Sequence, residues 1–477
     1  MTAAIPGRQR RYRRGMALDF DRRRLLTWSA TGLAAGALAR VPAAGAATER
    51  ATTLISALGR DATQFGIRPG SPDDQTRLLQ RAIDECARTA IPLALPPGVY
   101  RSGPLTLPDN AQVIGVRGAT KIAFTGGAWL MASEGAGNLA LTGLVLDGSG
   151  LPLPAGRGLV HCQFGRTVRI EDCEIVETGG GAIWFENVSG HVRSTQFRNI
   201  GRTAIVSFDA KGLLIAQNTI LGANSNGIEI LRHVIGDDGT IVTDNRIETI
   251  KAGPGGSGQY GNAINAFRAG NVIVRGNRIR DCDFSAVRGN SSSNIQITGN
   301  SVVDVRECAL FSEFSFEAAI IAHNTVDGAG VGISVANFNE GGRLAVVQGN
   351  IIRNLKRELP PADGPDAEGG TGIFVEADSS VTGNVIENAP TFGIGVGWGP
   401  YLRDVAVSGN VIRKAFIGIG VSVVQGAGSA MIDNNVISET PRGAVVGLDH
   451  ARPVTPDLTR NGAEKFAQVV LGTNQVR

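Results

Sequence analysis

Several kinds of feature are scarce or missing in this chain of 477 residues, and each absence excludes a class of protein. The five cysteines have no CxxC spacing, so the sequence contains no zinc or haem motif. They are also too few for a disulfide framework in so long a chain. We expect buried free thiols, with Cys282 and Cys308 left open as one disulfide pair. After the first 46 residues, no apolar run is long enough to cross a bilayer.

Basic clusters are missing from most of the chain, because the positive charge is concentrated at its start. Residues 1–46 contain nine arginines and two acids, a net charge of +7, whereas the whole chain carries +3. The remaining residues therefore carry a net charge of −4. Nucleic-acid binding depends on blocks of Lys and Arg, so we do not expect a nucleic-acid partner.

The arginine-rich start has the order of an export signal. Arg22 and Arg23 precede a weakly apolar run at 33–38, and small residues at 44–46 suit a cleavage site. This order resembles a twin-arginine signal peptide over residues 1–46. A membrane anchor is the alternative, but the run is short and rich in Gly and Ala. The resemblance implies export of the folded chain by the twin-arginine translocase, no stable membrane span after cleavage, and a periplasmic or secreted protein.

A short phrase, Gly-Asn-x-Ile or a close variant, is repeated along the rest of the chain. The steps between successive Asn residues are 27, 32, 23, 24, 26, 34, 26 and 25 residues. Each copy follows a short alternating run and precedes a second short strand, so one period contains two or three strands and no helix. A period this short is typical of one coil of a parallel β-helix. The repeated residues are Asn218, Asn245, Asn277, Asn300, Asn324, Asn350, Asn384, Asn410 and Asn435.

In a parallel β-helix, equivalent residues of successive coils stack about 4.8 Å apart. We therefore interpret the Asn residues as a ladder at a turn, part of the scaffold and not of a catalytic site. We attribute to the Asn itself the left-handed backbone that such a turn needs. The spacing predicts about 11 to 13 coils. The predicted organisation is a signal peptide (1–46), a linker with a capping helix (47–92), β-helix repeats (93–447) and a C-terminal cap (448–477).

Three short motifs precede the repeats: Asp-x-x-x-Phe-Gly at 61–66, Asp-Asp-x-Thr at 73–76 and Leu-Pro-Pro-Gly-x-Tyr at 95–100. An amphipathic helix is predicted over about 73–87, beginning at a capping box. With the repeat, these motifs resemble the pectate-lyase-like superfamily of right-handed, single-stranded parallel β-helices, which are all-β folds. With the leader, the chain resembles a group of twin-arginine-translocated β-helix repeat proteins without an assigned activity. The resemblance implies export, a sugar-handling relative and an undefined bound group.

Two steps of the repeat contain Gly- and Pro-rich inserts, at 252–261 and 359–369. Both leave the coil at the same corner, beside one strand, and insertions on one face of a solenoid often mark the binding face. The outward residues of that strand form a polar and aromatic stripe that suits a sugar polymer, although an ordinary solvated sheet face is the alternative. The predicted substrate-binding residues are Trp184, Glu186, Arg232, Asn265, Glu313 and Trp398.

The densest part of the stripe lies beside the first insert, where we predict Glu229, His233, Arg268 and Arg288 as catalytic residues. β-Elimination or C5 epimerisation of a uronate needs a cation to offset the carboxylate and a base for the C5 proton. Arg268 and Arg288 supply the cation, His233 the base, and Glu229 an acid or a calcium ligand. A surface histidine is the alternative for His233. The sequence has no calcium-binding nonapeptide motif. The role of Glu229 as a calcium ligand therefore rests on no known motif, and the question of a bound ion stays open.

Two other functions stay open from the sequence. Glu186 with Asp209 could form the carboxylate pair of a glycoside hydrolase, which needs a separation of about 5 to 9.5 Å. However, the Asn-x-Asp…Asp-Asp…His-Gly pattern of β-helix galacturonases is absent, as is the Asp-Pro-His-Asp segment of mannuronan epimerases. The other class is a non-catalytic β-helix that binds glycan or scaffolds an envelope assembly. In both enzyme and binding protein, the expected partner is a polysaccharide.

Overall fold

The computed structural model describes residues 59–253, 258–360 and 369–477. The predicted signal peptide with Arg22 and Arg23, and the linker up to residue 58, lie outside the described residues. The chain is 6% helical and forms a parallel β-solenoid of about 14 turns, which confirms the predicted fold class. There are slightly more turns than the 11 to 13 expected, because irregular coils before the first Asn motif also stack in register.

Each coil contributes strands to three parallel sheets. Within a sheet, each strand pairs in parallel with the equivalent strand of the next coil. The first sheet consists of Arg60–Asp61, Leu93–Ala94, Gln112–Ile114, Leu139–Thr142, Val168–Glu171, Gly190–Arg193, Leu214–Ala216, Ile241–Thr243, Ile273–Arg275, Ile295–Thr298, Glu317–Ala322, Arg343–Gln348, Ala377–Thr382, Arg403–Ser408, Ala430–Asp433 and Val469–Leu471. The second sheet consists of Gly98–Ser102, Thr120–Phe124, Val145–Asp147, Glu174–Thr178, Gln196–Ile200, Thr219–Ala223, Arg246–Ile250, Arg278–Cys282, Ser301–Val305, Thr325–Asp327, Ile351–Arg353, Val385–Val396, Val411–Ser422, Val436–Ser438 and Gln475–Val476.

The third sheet carries the outward stripe predicted from the sequence. Two long strands, Val385–Val396 and Val411–Ser422, run through both the second and the third sheet and join them. The other strands of the third sheet are Leu105–Thr106, Met131–Glu134, Gly158–Gln163, Gly181–Glu186, Ile205–Phe208, Ile228–Asp237, Ile264–Gly270, Val287–Asn290, Cys308–Glu313, Val331–Val335, Thr371–Val375, Gly443–Asp449 and Arg452–Asp457.

The interior of the solenoid is filled by aliphatic columns, because alternate residues of each strand point inward. Ile220, Ile247 and Ile279 are paired in successive coils and are almost completely buried. Burial of one such side chain contributes about 1.5–3 kcal/mol to the free energy of folding. The five cysteines belong to the same interior and are free, as expected. Burial raises the pKa of the Cys162 and Cys173 thiols to about 12, so both stay protonated at neutral pH.

The repeated Asn residues form a ladder of side-chain amides at the corner between the first and second sheets. The Oδ1 atom of Asn245 accepts two hydrogen bonds from Asn218. One comes from the backbone N–H of Asn218 at 2.9 Å and the other from the side-chain Nδ2 of Asn218 at 3.0 Å. The Nδ2 of Asn218 also donates to the carbonyl of Val192 in the first sheet. The same pattern continues to Asn474, a tenth rung that the sequence motif did not reveal because the last step is 39 residues long.

The left-handed residue at this corner is the one before each of the nine Asn residues of the motif and not the Asn itself, so that expectation was wrong. Gly276 and Gly299 both have φ of 66°, and Asp244 has φ of 58°. Glycine has no Cβ penalty in this conformation, which explains its frequency in the phrase Gly-Asn. The Asn has a different task, because its amide satisfies buried backbone groups on two coils.

Helical segments are few. The capping helix Thr76–Arg88 buries its apolar stripe against the first coils. It begins three residues later than predicted, because Asp74 and Gln75 pair with Arg101 in an adjacent strand and so cannot be helical. The other helical segments among the described residues are the 3-10 helices Ala62–Phe65, Phe338–Glu340 and Ala463–Lys465. Within the described ranges, no helix combines the length and apolar character that a membrane span requires.

The segment predicted as a C-terminal cap has two parts. Arg452–Asp457 pairs antiparallel with Gly443–Asp449 and covers the last edge of the third sheet, which protects that edge from pairing with another chain. Val469–Leu471 and Gln475–Val476 instead add strands to the first and second sheets. The chain therefore continues winding almost to its last residue.

A substitution in the ladder tests how much it stabilises the solenoid. In Asn350→Ala, the backbone N–H and the Nδ2 of Asn324 lose their acceptor at a buried position. We expect a loss of about 2–5 kcal/mol in the free energy of unfolding, since each orphaned buried donor costs about 1–3 kcal/mol. Chemical denaturation measures it, with the exposed Asn339→Ala as control. Equal stability of the two variants would contradict the ladder's role.

Candidate functional site

A continuous line of outward side chains follows the third sheet, and each member is paired with the next in the adjacent coil. This line is the stripe that alternation in the sequence predicts. It consists of Trp184, Val206, Glu229, Asn265, Arg288, Phe311, Ser334 and Phe374.

A cavity of about 670 Å³ lies over the first five members of this line. Gln259 and Tyr260, at the end of the first insert, form its wall at the corner between the second and third sheets. Arg232 and His233 form the opposite wall, at the corner between the third and first sheets. The cavity therefore has a floor of sheet residues and two walls made where the chain leaves the regular coil.

Part of the first wall is not evident from the spacing of the repeats. Arg157 lines the cavity and ends a Pro- and Gly-rich insert at 148–157, at the same corner as the two predicted inserts. Coils in this region have no Asn motif, so the extra length could not be measured against the repeat. The sequence Leu-Pro-Leu-Pro-Ala-Gly at 151–156 was the available signal. Arg202, two coils further on, also lines the cavity and was missed.

His233 and Asp209 form a bonded pair at the rim. The Nδ1 of His233 lies 2.7 Å from Oδ2 of Asp209, and its backbone N–H donates to Oδ1 at 3.3 Å. The side chain of His233 is 63% exposed, whereas that of Asp209 is 21% exposed. Because a carboxylate only accepts, Nδ1 carries the proton in this bond. In the neutral imidazole, the free lone pair is therefore on Nε2, which is the atom available as a base.

A bulge lifts His233 to this position. Residues 232–235 stand opposite a single residue, Arg268, in the next coil. The Nη1 atom of Arg268 donates to the carbonyl of His233 at 2.9 Å, and its guanidinium lies 4.7 Å from the centre of the Phe267 ring. Arg268 thus supports the bulge as well as carrying positive charge at the cavity.

Glu229 occupies the floor, and its carboxyl group is enclosed by the walls. Burial raises the pKa of Glu229, and this effect exceeds the opposite influence of hydrogen bonds from Asn226 and Thr203. Asn226 donates from Nδ2 to Oε1 of Glu229 and also to the carbonyl of Gln259 in the first insert. One buried amide therefore positions both the floor carboxyl and the wall beside it.

Arg288 is held by several partners, so it is not a free cation. Its Nε lies 2.7 Å from Glu313 and its Nη1 lies 3.5 Å from Glu307. Nη1 also donates to the carbonyl of Gly258 at 2.6 Å. Burial lowers the pKa of Arg288, but the two carboxylates more than offset it and the net pKa is raised. Arg288 thus anchors the first insert on the third sheet.

Trp184 belongs to a stack of rings that runs along the coils. Its ring centre lies 6.3 Å from that of His161 on one side and 5.5 Å from that of Phe208 on the other. The stack continues to Trp129 and to His233. Because both faces of Trp184 are covered, the ring presents an edge to the cavity. The sugar-stacking role that we predict for this tryptophan is therefore restricted to edge contacts.

His161, which belongs to the same stack, holds the side chain of Arg157 in place. Nη1 of Arg157 lies 2.7 Å from Nε2 of His161, which must accept because arginine only donates. Burial, and secondly the charge of Arg157, lower the pKa of His161 to about 4. His161 is therefore neutral at neutral pH and holds the guanidinium at the cavity wall.

The structure brings seven of the ten predicted site residues together around the cavity and leaves three outside its lining. Glu186 accepts a hydrogen bond from Gln163 at 2.6 Å, and Glu313 supports Arg288. Trp398 lies several coils away. Among the described residues, no group of three or more His, Cys, Asp or Glu is placed to hold a metal ion. The seven are Trp184, Glu229, Arg232, His233, Asn265, Arg268 and Arg288.

The cavity lining contains more basic than acidic side chains, although Arg288 and Arg232 each lie within 4.0 Å of a carboxylate. It contains one carboxyl group, Glu229, whose raised pKa favours the neutral form. Charges of one sign in a partly enclosed cleft attract ligands of the opposite sign. The arrangement suits a ligand with carboxylate or other anionic groups. The arginines are Arg157, Arg202, Arg232, Arg268 and Arg288.

Comparison with known proteins supports the fold. A family model described as a right handed beta helix region matches residues 181–342, so the solenoid is a right-handed β-helix. The catalytic unit of a GH87 alpha-1,3-glucanase from Streptomyces thermodiastaticus is similar, with 16% identity over 87% of this chain and 68% of that chain and a TM-score of 0.50. These two matches support the resemblance to the pectate-lyase-like superfamily. No curated protein matches the chain by sequence.

Two more distant structures also align along most of the chain. An exopolygalacturonase from Thermotoga maritima shares 14% identity over 90% of this chain and 96% of its own, with a TM-score of 0.40. The surface protein and adhesin PfbA of Streptococcus pneumoniae shares 11% identity over 88% and 97%, with a TM-score of 0.44. At such identities and TM-scores, neither likeness bears on the activity of this chain.

Two arginine variants separate anchoring from ligand binding. Arg288→Met leaves the buried Glu313 carboxylate without its cation, so we expect a loss of about 3–5 kcal/mol in stability. Arg202 has no ion pair within 4.0 Å among the described residues, so Arg202→Met should change stability by no more than about 0.5 kcal/mol. Denaturant unfolding of both variants is the measurement. A stable Arg288→Met protein would refute the anchoring role.

Proposed function

We propose that the protein binds an acidic polysaccharide in this cavity and removes the C5 proton of a uronate unit. The single observation that carries the proposal is the Asp209–His233 pair at the rim of an arginine-lined cavity. It supplies the base and the positive surroundings that such a reaction needs in one place.

In the proposed reaction, Nε2 of His233 takes the C5 proton and Asp209 stabilises the imidazolium that results. Negative charge then moves from C5 into the uronate carboxylate. Arg202 is the best placed partner for that carboxylate, because it lines the cavity and is not paired with another described side chain. Arg232 and Arg268 add positive charge from the opposite wall.

The step after proton removal decides between two outcomes. In β-elimination, the C4–O bond breaks and Glu229 donates a proton to the leaving oxygen. In epimerisation, a group on the other face of the sugar returns a proton to C5, and Tyr260 on the opposite wall from His233 has that position. The raised pKa of Glu229 keeps its acid form at higher pH, which favours elimination.

The remaining alternatives have less support. Hydrolysis would need Glu186 and Asp209 as a free carboxylate pair, but Glu186 lies outside the lining and Asp209 is bonded to His233. A non-catalytic protein that binds glycan or scaffolds an envelope assembly would use the same positive cavity without turnover. The test below distinguishes this case.

We also propose that the protein is exported by the twin-arginine pathway and is periplasmic or secreted. The support is the Arg22-Arg23 pair followed by a short apolar run and small residues. In a bacterial host that has this pathway, we expect the wild type in the periplasmic fraction with its N-terminus near residue 47. Arg22→Lys/Arg23→Lys should stay uncleaved inside the cell. Fractionation with N-terminal sequencing checks both, and export of the double variant would contradict the proposal.

Turnover of uronate polymers tests the reaction. His233→Gln should lower kcat by about 10²–10⁴-fold, as expected for loss of a general base. Asp209→Asn should lower it less, because the imidazole stays present but loses its orienting carboxylate. The measurements are ultraviolet absorbance of the unsaturated product and loss of the C5 hydrogen by NMR.

A matched control is available in the same chain. His191 bonds Glu171 at 2.8 Å on the first sheet, outside the cavity lining. His191→Gln should keep full activity. If the wild type binds uronate polymers but turns none of them over, the binding-only alternative is correct. If His233→Gln is as active as the wild type, His233 is not the base.

A further inference from the structure

A second aromatic surface lies far from the cavity. Trp398 is 42% exposed and Tyr401 is 38% exposed, and the two residues begin and end one turn. Trp and Tyr are scarce in this chain, which has four of each beside 17 Phe. Exposure of one of each on the same turn is therefore a specific feature and not a general property of the surface.

The turn is rigid. Trp398 and Tyr401 exchange both backbone hydrogen bonds, at 3.1 and 3.0 Å. Between them, the carbonyl of Gly399 accepts the hydroxyl of Ser422 at 2.6 Å. Gly399 has φ of 56° and packs on His450 so closely that a Cβ atom would lie 2.5 Å from that ring. Rigid aromatic side chains lose little conformational entropy on binding, so the turn is organised before a ligand arrives.

The surroundings of Trp398 differ from those of Trp184. Its neighbours Phe374 and His450 meet it edge to face, at interplanar angles of 76° and 80°. In the part of the chain that the structure describes, no stack covers both faces of this indole, so it presents more apolar surface than Trp184 does. The nearest charges are balanced, because Asp449 bonds both His450 and Arg452 at 2.8 Å. The surface is therefore aromatic and electrically neutral, as suits the apolar face of a sugar ring.

The position of the turn links it to the cavity. Trp398 follows the third sheet at the same corner as Arg232 and Arg268. Five parallel pairings separate its strand from the strand of Arg268, a distance of roughly 24 Å at 4.8 Å for each coil. A polymer that lies along this corner from the cavity reaches the turn after several sugar units.

We propose that Trp398 and Tyr401 form a separate glycan-binding platform, which holds a distant part of the same acidic polysaccharide that enters the cavity. This inference rests on the proposed function for the identity of the polymer, but the platform acts through ring contacts and not through charge. Cavity binding should weaken as salt is added, whereas the platform contribution should persist.

The test measures Kd by calorimetry for long polygalacturonate and alginate chains and for short oligomers of each. Trp398→Ala/Tyr401→Ala should weaken binding of the long chains by about threefold to tenfold, since aromatic contacts contribute about 0.5–1.5 kcal/mol. Short oligomers that fill only the cavity should bind and turn over as in the wild type. Trp398→Phe should bind the long chains more tightly than the double alanine variant, because it keeps an aromatic ring. Misfolding at this turn would not produce that difference between the two variants.

Phe416→Ala is the matched control, because Phe416 is 43% exposed where its strand passes from the second to the third sheet, at a different corner from Trp398. The proposal is overturned if the double variant binds long chains as tightly as the wild type at both low and high salt, or if the wild type binds no long chain. If cavity variants leave turnover unchanged while the double variant still weakens polymer binding, the proposed reaction fails and the platform stands.

Discussion

The amide ladder is the interaction on which the rest of the structure depends. From Asn245 onward, each Asn accepts two donors from the previous coil and donates back to a first-sheet carbonyl, so it satisfies polar groups that would otherwise be buried without partners. This requirement fixes the spacing of the coils from Asn218 to Asn474 at one corner. Once the spacing is fixed, the strands of the third sheet must pair in a single register, and their outward residues form one line.

The same regularity explains which features the sequence could predict. Alternation within strands and the constant step between Asn residues were sufficient to place Glu229, Asn265 and Arg288 in successive coils. The two long steps located inserts, and the first insert does form a cavity wall. These inferences succeeded because they depend on a period, and a period can be measured without knowledge of side-chain contacts.

Features that depend on departures from the period could not be predicted in the same way. The bond between His233 and Asp209 exists because four residues, 232–235, bulge opposite one residue of the next coil. The register of the strand on either side of that bulge cannot be predicted from the local sequence. Arg157 was missed because its coil has no Asn against which extra residues could be counted. The roles of Trp184 and Arg288 depend on neighbours in other coils, so each looked more available in the sequence than it is in the structure.

These contacts divide the charged residues of the cavity into two groups. Arg288 is only 15% exposed and is surrounded by carboxylates and a carbonyl, so its charge is already used to hold a wall. His233 and Arg202 are exposed at the rim, and each keeps donor or acceptor capacity that the fold does not consume. A ligand gains most binding free energy from donors and acceptors that have no partner within the protein, because no existing bond must break when it binds. The groups that a ligand can reach without breaking an existing bond are therefore at the rim, whereas the buried Arg288 keeps a wall of the cavity in place.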